Sequence, residues 1–525
     1  MTIFHSPANI SFVRRRESLA CHRRESQSLQ GEDPDDDAND SAWTRKDPPV
    51  SRIVSRNRLM NTQSDTLFAA FPVELRVEIF LQYCGMYCPI DKSTEGPIML
   101  LKVCRAWKEL ALQTPQLWAS FALDFTLIHG LDKRHFFISA MKEWINRSRN
   151  LPLSFELHYE YAVFDATSTP LIQCILPSSH RWRDINLHAP SDSLLPLWEV
   201  GFPSLRNLAM DSTGLSIHAL KNLAINWAQI TELNLFLSPT PPTLDECLDI
   251  LKRVVNLTRC TINAICGSSS HDLDRRLHLP RMEHLGLSMY GGEIGGRRET
   301  KFMEFLGALS PPALQSLSIR WTVEAPGPNQ PYYWSDSGYA KLIHFLGELR
   351  EHLTSLHLAY LPFTTRQLIG CLGVVRALKH LDLTLSRADM VHDSINDEFL
   401  GALTQRSGAS TLVPLLRSIR LESNGESFSN TALFRFIASR WKYQESLSGE
   451  LESLDLVSSS RQAQYHPWRF EDLKVGKLDV RARLRSEFSM LAVLSPFLDR
   501  DSYGEMICFL NGDFSSNIRS LLIFG

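Results

Sequence analysis

Apolar residues recur along most of the chain in triplets with the spacing apolar-x-x-apolar-x-apolar. The first of twelve such triplets ends at Leu187 and the last at Ile523, and successive triplets are 23 to 43 residues apart. Because side chains alternate between the two faces of a strand, the last two apolar positions share one face of a predicted short strand, and the residue between them faces the other way.

The segments between these strands are predicted to be helices. Five of them carry apolar residues at helical spacing: Leu244 to Val255, Lys301 to Leu309, Tyr339 to Leu349, Thr365 to Val375 and Leu433 to Trp441. A repeated strand–turn–helix–turn unit gives a parallel sheet with helices on one side. The pattern resembles leucine-rich repeats of an irregular kind, since the shorter spacings match the ~20–29 residues of that family. The sequence therefore predicts an α/β solenoid over residues 124–525.

A different pattern occupies residues 67–123. Pro72 and Glu74 suit the first turn of a helix, where the missing amide hydrogen costs nothing and a carboxylate meets the positive end of the helix dipole. A loop from Gly85 to Pro97 ends this helix, and a second helix is predicted from about Ile98. The sequence therefore predicts a small all-α module ahead of the solenoid.

Three short motifs in this module resemble the F-box. They are Phe-Pro-Val-Glu-Leu at 71–75, Val-Cys-Arg-Ala-Trp at 103–107 and Pro-Gln-Leu-Trp at 115–118. Phe71 replaces the leucine that is usual in the family, and the loop between the helices is longer than in its shortest members. The resemblance implies that the module docks on a Skp-type adaptor and, through it, on a cullin-RING ubiquitin ligase.

The amount of apolar surface in the module supports a partner. Two or three short helices cannot bury so many large apolar side chains among themselves, so the excess is expected at an interface. The alternative is that these residues only fill a small core. A basic face of Lys102, Arg105 and Lys108 is expected to help docking on an acidic adaptor. The predicted adaptor-binding residues are Phe71, Pro72, Leu75, Ile79, Leu101, Val103, Cys104, Trp107 and Trp118.

The solenoid is predicted to offer a binding surface for a target protein, on its concave face and long loops. The residues between the last two apolar positions are mostly small or neutral in the first half of the array and often charged in the second. Long loops with aromatic residues also fall in the second half, and such loops frequently bind partners. The alternative is that these aromatic residues fold back over the array. The predicted target-binding residues are His357, Asp382, Arg420, Asp455, Asp479, Tyr332, Tyr333 and Trp334.

Residues 1–66 are predicted to be a disordered tail, since basic clusters and an acidic run leave few apolar residues to bury. The chain has 55 Lys and Arg against 58 Asp and Glu, so no positive excess favours nucleic acid or an anionic membrane as a partner. No apolar run reaches the ~18–20 residues of a membrane helix. Ten scattered cysteines favour a reducing compartment, the cytoplasm or the nucleus. Cys84 and Cys88, the closest pair, are interpreted as loop or core thiols without a zinc ion.

No motif for nucleotide binding, metalloprotease or serine-hydrolase chemistry occurs in the sequence, which therefore predicts no catalytic residue, metal or cofactor. The resemblance to F-box proteins makes a substrate-recognition subunit of an SCF-type ubiquitin ligase the leading hypothesis. One alternative is an F-box repeat scaffold that does not promote ubiquitination. Another is an enzyme whose site is assembled from dispersed residues.

Overall fold

The structure is a computed structural model that describes most of the chain from Phe68 onward. The described residues are 68, 70–90, 94–125, 131–158, 169–266, 276–290, 297–322, 334–385, 394–405, 412–423, 427–441, 451–458 and 479–484. They belong to one compact unit that begins at Phe68. The predicted tail lies outside the described residues.

Three helices and a single 3₁₀ turn form the first part of this unit. They are α1 (Val73–Cys84), α2 (Gly96–Val103), α3 (Arg105–Gln113) and the 3₁₀ turn Pro115–Trp118. The helix predicted from Ile98 is in fact two helices, because Cys104 is extended with φ −157° and separates α2 from α3. The Cys104 sulfur accepts a hydrogen bond from the Trp107 amide and caps α3.

The described strands form one large sheet and two small ones. The large sheet has thirteen parallel strands that follow one another in chain order. Four short strands that lie between them in the sequence form two separate two-stranded sheets. The strands of the large sheet are β1 (Ser120–Asp124), β2 (Leu153–His158), β3 (Trp182–His188), β5 (Asn207–Thr213), β7 (Glu232–Ser238), β8 (Arg259–Ile265), β10 (His284–Tyr290), β12 (Ser316–Thr322), β13 (Ser355–Ala359), β14 (His380–Thr384), β15 (Ser418–Ser423), β16 (Ser453–Ser458) and β17 (Asp479–Leu484). The short strands are β4 (Gly201–Phe202), β6 (Ala224–Ile225), β9 (Leu277–His278) and β11 (Leu309–Ser310).

Helices and 3₁₀ turns connect the strands. The 3₁₀ turns are Leu176–Arg181, Leu195–Glu199 and Trp227–Gln229. The helices are α4 (Leu131–Arg147), α5 (Thr169–Ile175), α6 (Ser191–Leu194), α7 (Ile217–Lys221), α8 (Leu244–Leu251), α9 (Arg297–Ala308), α10 (Asp336–Glu348), α11 (Thr365–Val374), α12 (Asp397–Leu403) and α13 (Asn430–Trp441). Apolar residues of strands and helices meet in one continuous core. All five helices expected from the sequence are present, so the α/β solenoid fold is confirmed.

The strand register follows the apolar triplets. Leu187 is paired with Met210, and Met210 with Leu235, so each last apolar position lies beside the next. This alignment continues strand by strand to Leu456 on β16. Equivalent apolar residues therefore stack in rows inside the core, which is how a repeat buries its strand against its neighbours.

The helical module is joined to the sheet by backbone hydrogen bonds. In the loop between α1 and α2, the carbonyl of Cys88 accepts from the Ala122 amide at 2.8 Å, and the Ile90 amide donates to the Ala122 carbonyl at 2.9 Å. The Tyr87 amide also donates to Ser120 Oγ at 2.9 Å. The loop thus pairs with β1, the first strand of the sheet, and fixes the module on the repeats.

Candidate functional site

Exposed apolar side chains are concentrated on α1 and α2. Of fourteen large apolar side chains that are exposed in the described part of the chain, eight lie between residues 71 and 103. We call these eight the apolar stripe. Such a concentration marks an interaction surface, whereas single exposed apolar residues do not. The apolar stripe consists of Phe71, Val73, Leu75, Ile79, Tyr83, Met86, Met99 and Val103.

The helical period of α1 produces this arrangement. Leu75, Ile79 and Tyr83 are four residues apart, so they share one face, and all three are exposed. Phe80 points to the other side and is fully buried. The Phe80 ring stacks on the Phe68 ring, with a distance of 5.5 Å between the ring centroids. Thus α1 has one apolar face in the core and a second apolar face in solvent.

Five of the nine predicted adaptor-binding residues are exposed on this surface, namely Phe71, Pro72, Leu75, Ile79 and Val103. Three others are only partly exposed, namely Leu101, Cys104 and Trp107, and of these Leu101 and Trp107 pack against the core beneath the stripe. The Trp107 ring packs between Phe68 and Phe80, with centroid distances of 4.7 and 5.0 Å.

Trp118 does not belong to the surface, and its prediction as a contact residue needs correction. Its side chain is 0% exposed. The indole Nε1 donates to the Ala111 carbonyl at 2.9 Å, the ring meets Trp144 edge-on, and the Arg147 guanidinium lies 4.6 Å from its ring centroid. Trp118 therefore joins α3 to α4 from inside the core.

The sequence interpretation missed four members of the apolar stripe as contact residues: Val73, Tyr83, Met86 and Met99. Tyr83 could have been found, because it continues the four-residue spacing of Leu75 and Ile79. Met86 lies in the loop and Met99 on the half-buried helix α2, so no periodic pattern in the sequence marks either as exposed.

The basic face beside the apolar stripe is partly neutralised. Lys102, Arg105 and Lys108 are exposed, as the sequence suggested. Arg105 Nε, however, lies 2.8 Å from Glu109 Oε1 in an exposed ion pair one helical turn away. Such exposed pairs contribute little to stability, so Arg105 can exchange Glu109 for a partner's carboxylate at small cost.

The second candidate surface is the face of the sheet opposite the helices. Adjacent strands place Ser318, His357, Asp382, Arg420 and Asp455 side by side. We call these five residues the polar ladder. Ser318 Oγ and His357 Nδ1 are hydrogen-bonded at 3.0 Å. The remaining charged neighbours lie 3.8–4.0 Å apart.

The ion pairs of the polar ladder are long. At 3.8–4.0 Å, the carboxylate and cationic groups of His357, Asp382, Arg420 and Asp455 are beyond direct hydrogen-bond distance from one another. Arg420 makes a closer contact, 3.3 Å, with Glu422 on its own strand. Burial lowers the pKa of His357 and so favours the neutral imidazole, although the Asp382 charge acts in the opposite direction.

Two predicted target-binding residues have to be corrected. Trp334 is buried, stacked on Phe363 with a centroid distance of 5.1 Å and edge-on to Trp321 at 5.5 Å, so it folds back into the core. Asp479 is paired with Ser453, and the residue beside Asp455 is Arg481. The sequence register was therefore two residues off on β17. The predicted residues Tyr332 and Tyr333 lie outside the described residues.

Among the residues that the structure describes, no group of three or more His, Cys, Asp or Glu side chains is arranged to hold a metal ion. Within the same residues, no helix is long and apolar enough to cross a membrane.

No family model and no curated protein matches the chain. A solved structure that matches is the crystal structure of the Rad7 and Elc1 complex in yeast. The sequence identity is 14% and the TM-score 0.40, over 82% of this chain and 96% of that chain. A likeness at this level concerns the fold alone, and the assignment of the two surfaces rests on the geometry above.

Proposed function

We propose that the protein is the substrate-recognition subunit of an SCF-type ubiquitin ligase. The apolar stripe would dock on a Skp-type adaptor, and the face of the sheet that carries the polar ladder would bind a target protein. The observation that carries this proposal is the apolar stripe itself: the F-box-like motifs coincide with the stretch of the described chain that holds eight of its fourteen exposed large apolar side chains.

The stripe has the composition of an interface centre. It combines two aromatic residues with aliphatic residues and methionines, and large apolar side chains of this kind supply most of the binding energy in protein complexes. Glu74 and Glu78 on α1 and the basic residues of α2 and α3 are also exposed in this part of the chain, and we expect them to form a charged rim. A charged rim orients a partner more than it adds affinity.

The connection between module and repeats supports action by proximity. Because the loop between α1 and α2 is hydrogen-bonded to Ala122 on β1, an adaptor bound to the stripe would stand in a fixed orientation to the sheet. A target on the sheet would then be held at a high effective concentration beside the ubiquitin-loaded enzyme. The chain itself would supply position and no chemistry.

The polar ladder supports the target side of the proposal. His357, Asp382, Arg420 and Asp455 remain the proposed target-binding residues, and the last three present alternating charge on neighbouring strands. Since their mutual ion pairs are longer than hydrogen bonds, a partner that offers closer charged groups can replace them at low cost.

Matched truncations of exposed residues test adaptor binding. Phe71→Ala removes a side chain that is 48% exposed, and Phe434→Ala on α13 removes one that is 47% exposed. We expect Phe71→Ala to cost about 2 kcal/mol of binding energy, about a 30-fold rise in Kd, and Phe434→Ala to leave Kd unchanged. Calorimetric titration of the full chain with a Skp-type adaptor measures both.

Both variants are expected to keep the wild-type Tm, because each side chain is half in solvent. Equal affinity of wild type and Phe71→Ala would contradict the adaptor assignment, as would an equal loss in both variants. Trp107→Ala is unsuitable for this purpose, since Trp107 packs on Phe68 and Phe80 and its loss would disturb the module.

A second measurement separates a ligase receptor from a scaffold. In cells, the double variant Phe71→Ala/Leu75→Ala should keep its target bound but lengthen the target's half-life, with Phe434→Ala/Leu195→Ala as the matched control. A target whose half-life is the same with all forms of the protein would support the scaffold alternative.

A further inference from the structure

Two thiols lie where the helical module meets the sheet. Cys84 is the last residue of α1, and Cys88 follows four residues later in the loop. The Cys88 thiol donates a hydrogen bond to the Cys84 carbonyl oxygen, with Cys88 Sγ 3.3 Å from that oxygen. The Cys88 sulfur therefore lies against the backbone of residue 84 in the folded chain.

One member of the pair is held firmly in place. The Cys88 carbonyl accepts from the Ala122 amide of β1, which ties Cys88 to the sheet. Gly96, with φ +60°, packs against it so closely that a Cβ there would lie 3.1 Å from Cys88 Cβ. The loop thus presents the Cys88 sulfur at a fixed position below the end of α1.

The other member moves with the adaptor surface. Cys84 is half-buried and follows directly after Tyr83, the last α1 residue of the apolar stripe. A covalent link between the two sulfurs would tie the final turn of α1 to the anchored loop. Tyr83 and Met86, which flank Cys84, move with it.

The interaction of the two thiols also shifts their pKa values in opposite directions. It lowers the pKa of Cys88, although burial acts against this, and it raises the pKa of Cys84. A thiolate is the nucleophilic form of cysteine, so a neighbour that stabilises it favours oxidation at this position.

We propose that Cys84 and Cys88 are a reversible modification site at which a peroxide converts two thiols into an intramolecular disulfide. One thiol reduces hydrogen peroxide, becomes a sulfenic acid and releases one water. The second thiol then attacks the sulfenic sulfur, the S–S bond forms and a second water leaves. Two thiols and one peroxide thus give one disulfide and two waters, and an added dithiol reverses the reaction.

The disulfide would regulate the adaptor surface, and this second part rests on the proposed function. A covalent S–S bond is shorter than any non-bonded contact between two sulfur atoms, so its formation draws the last turn of α1 toward the loop. The apolar stripe, which extends across both segments, would lose its fit to the adaptor. The oxidised protein would therefore bind the adaptor more weakly than the reduced protein.

Peptide mass analysis of the native full chain tests the bond. After treatment with hydrogen peroxide and blocking of free thiols, trypsin releases residues 77–92 with both cysteines. We expect this peptide to be about 2 Da lighter than its reduced form and to carry no blocking group on either cysteine. After dithiothreitol, its mass should return to that of the reduced form. Cys84→Ser should remove the effect, and Cys266→Ser, a half-buried control in another repeat, should retain it. Blocking of both thiols in peroxide-treated wild type would overturn the proposal.

Adaptor affinity tests the regulatory part separately. We expect oxidation to weaken binding of a Skp-type adaptor by about fivefold or more in wild type and in Cys266→Ser, and not in Cys84→Ser. A disulfide that leaves Kd unchanged would overturn the regulation and keep the modification site. If the reduced chain fails to bind, the proposed function fails, while the mass of the peptide still decides the disulfide.

Discussion

Trp118 shows how one residue can fit two patterns. It ends the Pro-Gln-Leu-Trp motif, and it also begins the series Trp118, Phe121 and Leu123, which has the triplet spacing of the repeats. Two strands later Trp182 holds the same position ahead of Ile185, and both tryptophans are 0% exposed. Trp118 is therefore buried because it occupies the first apolar position of a repeat, although it also completes the Pro-Gln-Leu-Trp motif.

We expect Trp118→Ala to destabilise the fold strongly. Removing a fully buried aromatic side chain leaves a cavity and costs about 3–5 kcal/mol, and here the hydrogen bond to the Ala111 carbonyl is lost as well. Phe136→Ala on α4, where the side chain is exposed, should change stability by no more than about 0.5 kcal/mol. Denaturant unfolding of both variants checks this, and similar midpoints would contradict the burial of Trp118.

His357 gives stability a pH dependence of definite sign. Burial lowers the pKa of His357 in the folded chain, whereas the unfolded chain keeps a value near about 6.5. Below that pH the unfolded state binds a proton that the folded state does not, so stability is full above about pH 6.5 and falls as the pH drops. His284 and His380 are shifted in the same direction, also through burial.

Unfolding free energies at pH 7.5 and 5.5 measure this dependence. We expect His357→Gln to lose less stability between the two pH values than wild type, because one of the contributing groups is gone. His352→Gln, at an exposed position after α10, should keep the wild-type difference. An unchanged difference in His357→Gln would contradict the proposed coupling.

At the scale of elements, caps decide where the helices of the repeats begin. Thr364 and Gln367 form the capping box that their spacing predicts, with the Gln367 amide donating to Thr364 Oγ1 at 3.2 Å. Thr243 and Glu246 form a second one at the start of α8. Each box satisfies two backbone amides that would otherwise lack partners in the first turn.

We expect Thr243→Ala to lower stability by about 1 kcal/mol, because α8 loses the oxygen that accepts from the Glu246 amide. Thr240→Ala, three residues earlier and exposed, serves as the control. A double-mutant cycle with Glu246→Ala, read by thermal unfolding, isolates the box. If Thr243→Ala and Thr240→Ala unfold alike, the cap does not contribute.

Sequence periodicity predicted ten strands of the repeat array in register, from β3 to β16, because each depends on local spacing. It missed β2, where Pro152 stands at the position three residues before Phe155 and no apolar residue completes the triplet. On β17, the sequence pattern makes Leu478 the middle and Val480 the last apolar position of a triplet. In the structure Val480 is paired with Leu454, so it occupies the middle position instead. Alternatives of this kind are settled by the neighbouring strand.

The candidate site was less predictable than the fold. Phe71, Leu75 and Ile79 were assigned to the surface from motif and helical face together, whereas Leu101 and Trp107 share the same motifs but support the surface from below. Whether an apolar side chain points to the core or to solvent depends on how α1, α2 and α3 pack. That packing is a tertiary property, which no single helix pattern contains.

At the scale of the whole molecule, the repeats are stacked one after another in a single sheet. In the described chain, each strand of the large sheet pairs only with the preceding and the following strand of that sheet. The stability of each repeat is therefore expected to depend mainly on its immediate neighbours. A lesion in one repeat weakens nearby repeats first and reaches distant ones only through the intervening interfaces.

We therefore expect Leu456→Ala on β16 to lower protection against hydrogen exchange in the last described repeats, at a cost of about 2–5 kcal/mol, without changing adaptor affinity. Phe121→Ala on β1, beside the anchoring loop, should affect both exchange near the module and adaptor binding. Both residues are fully buried. Equal effects of the two variants on adaptor affinity would show that the array behaves as one cooperative block.

The pairing of the loop with β1 also bears on how the chain avoids aggregation. A strand at the end of a sheet exposes amides and carbonyls that can recruit another chain. Here Cys88 and Ile90 take both backbone groups of Ala122, and Pro89 between them has no amide hydrogen with which to continue a ladder. The helical module thus covers the middle residue of this edge strand, and removing it would open Ala122 to pairing with another copy of the protein.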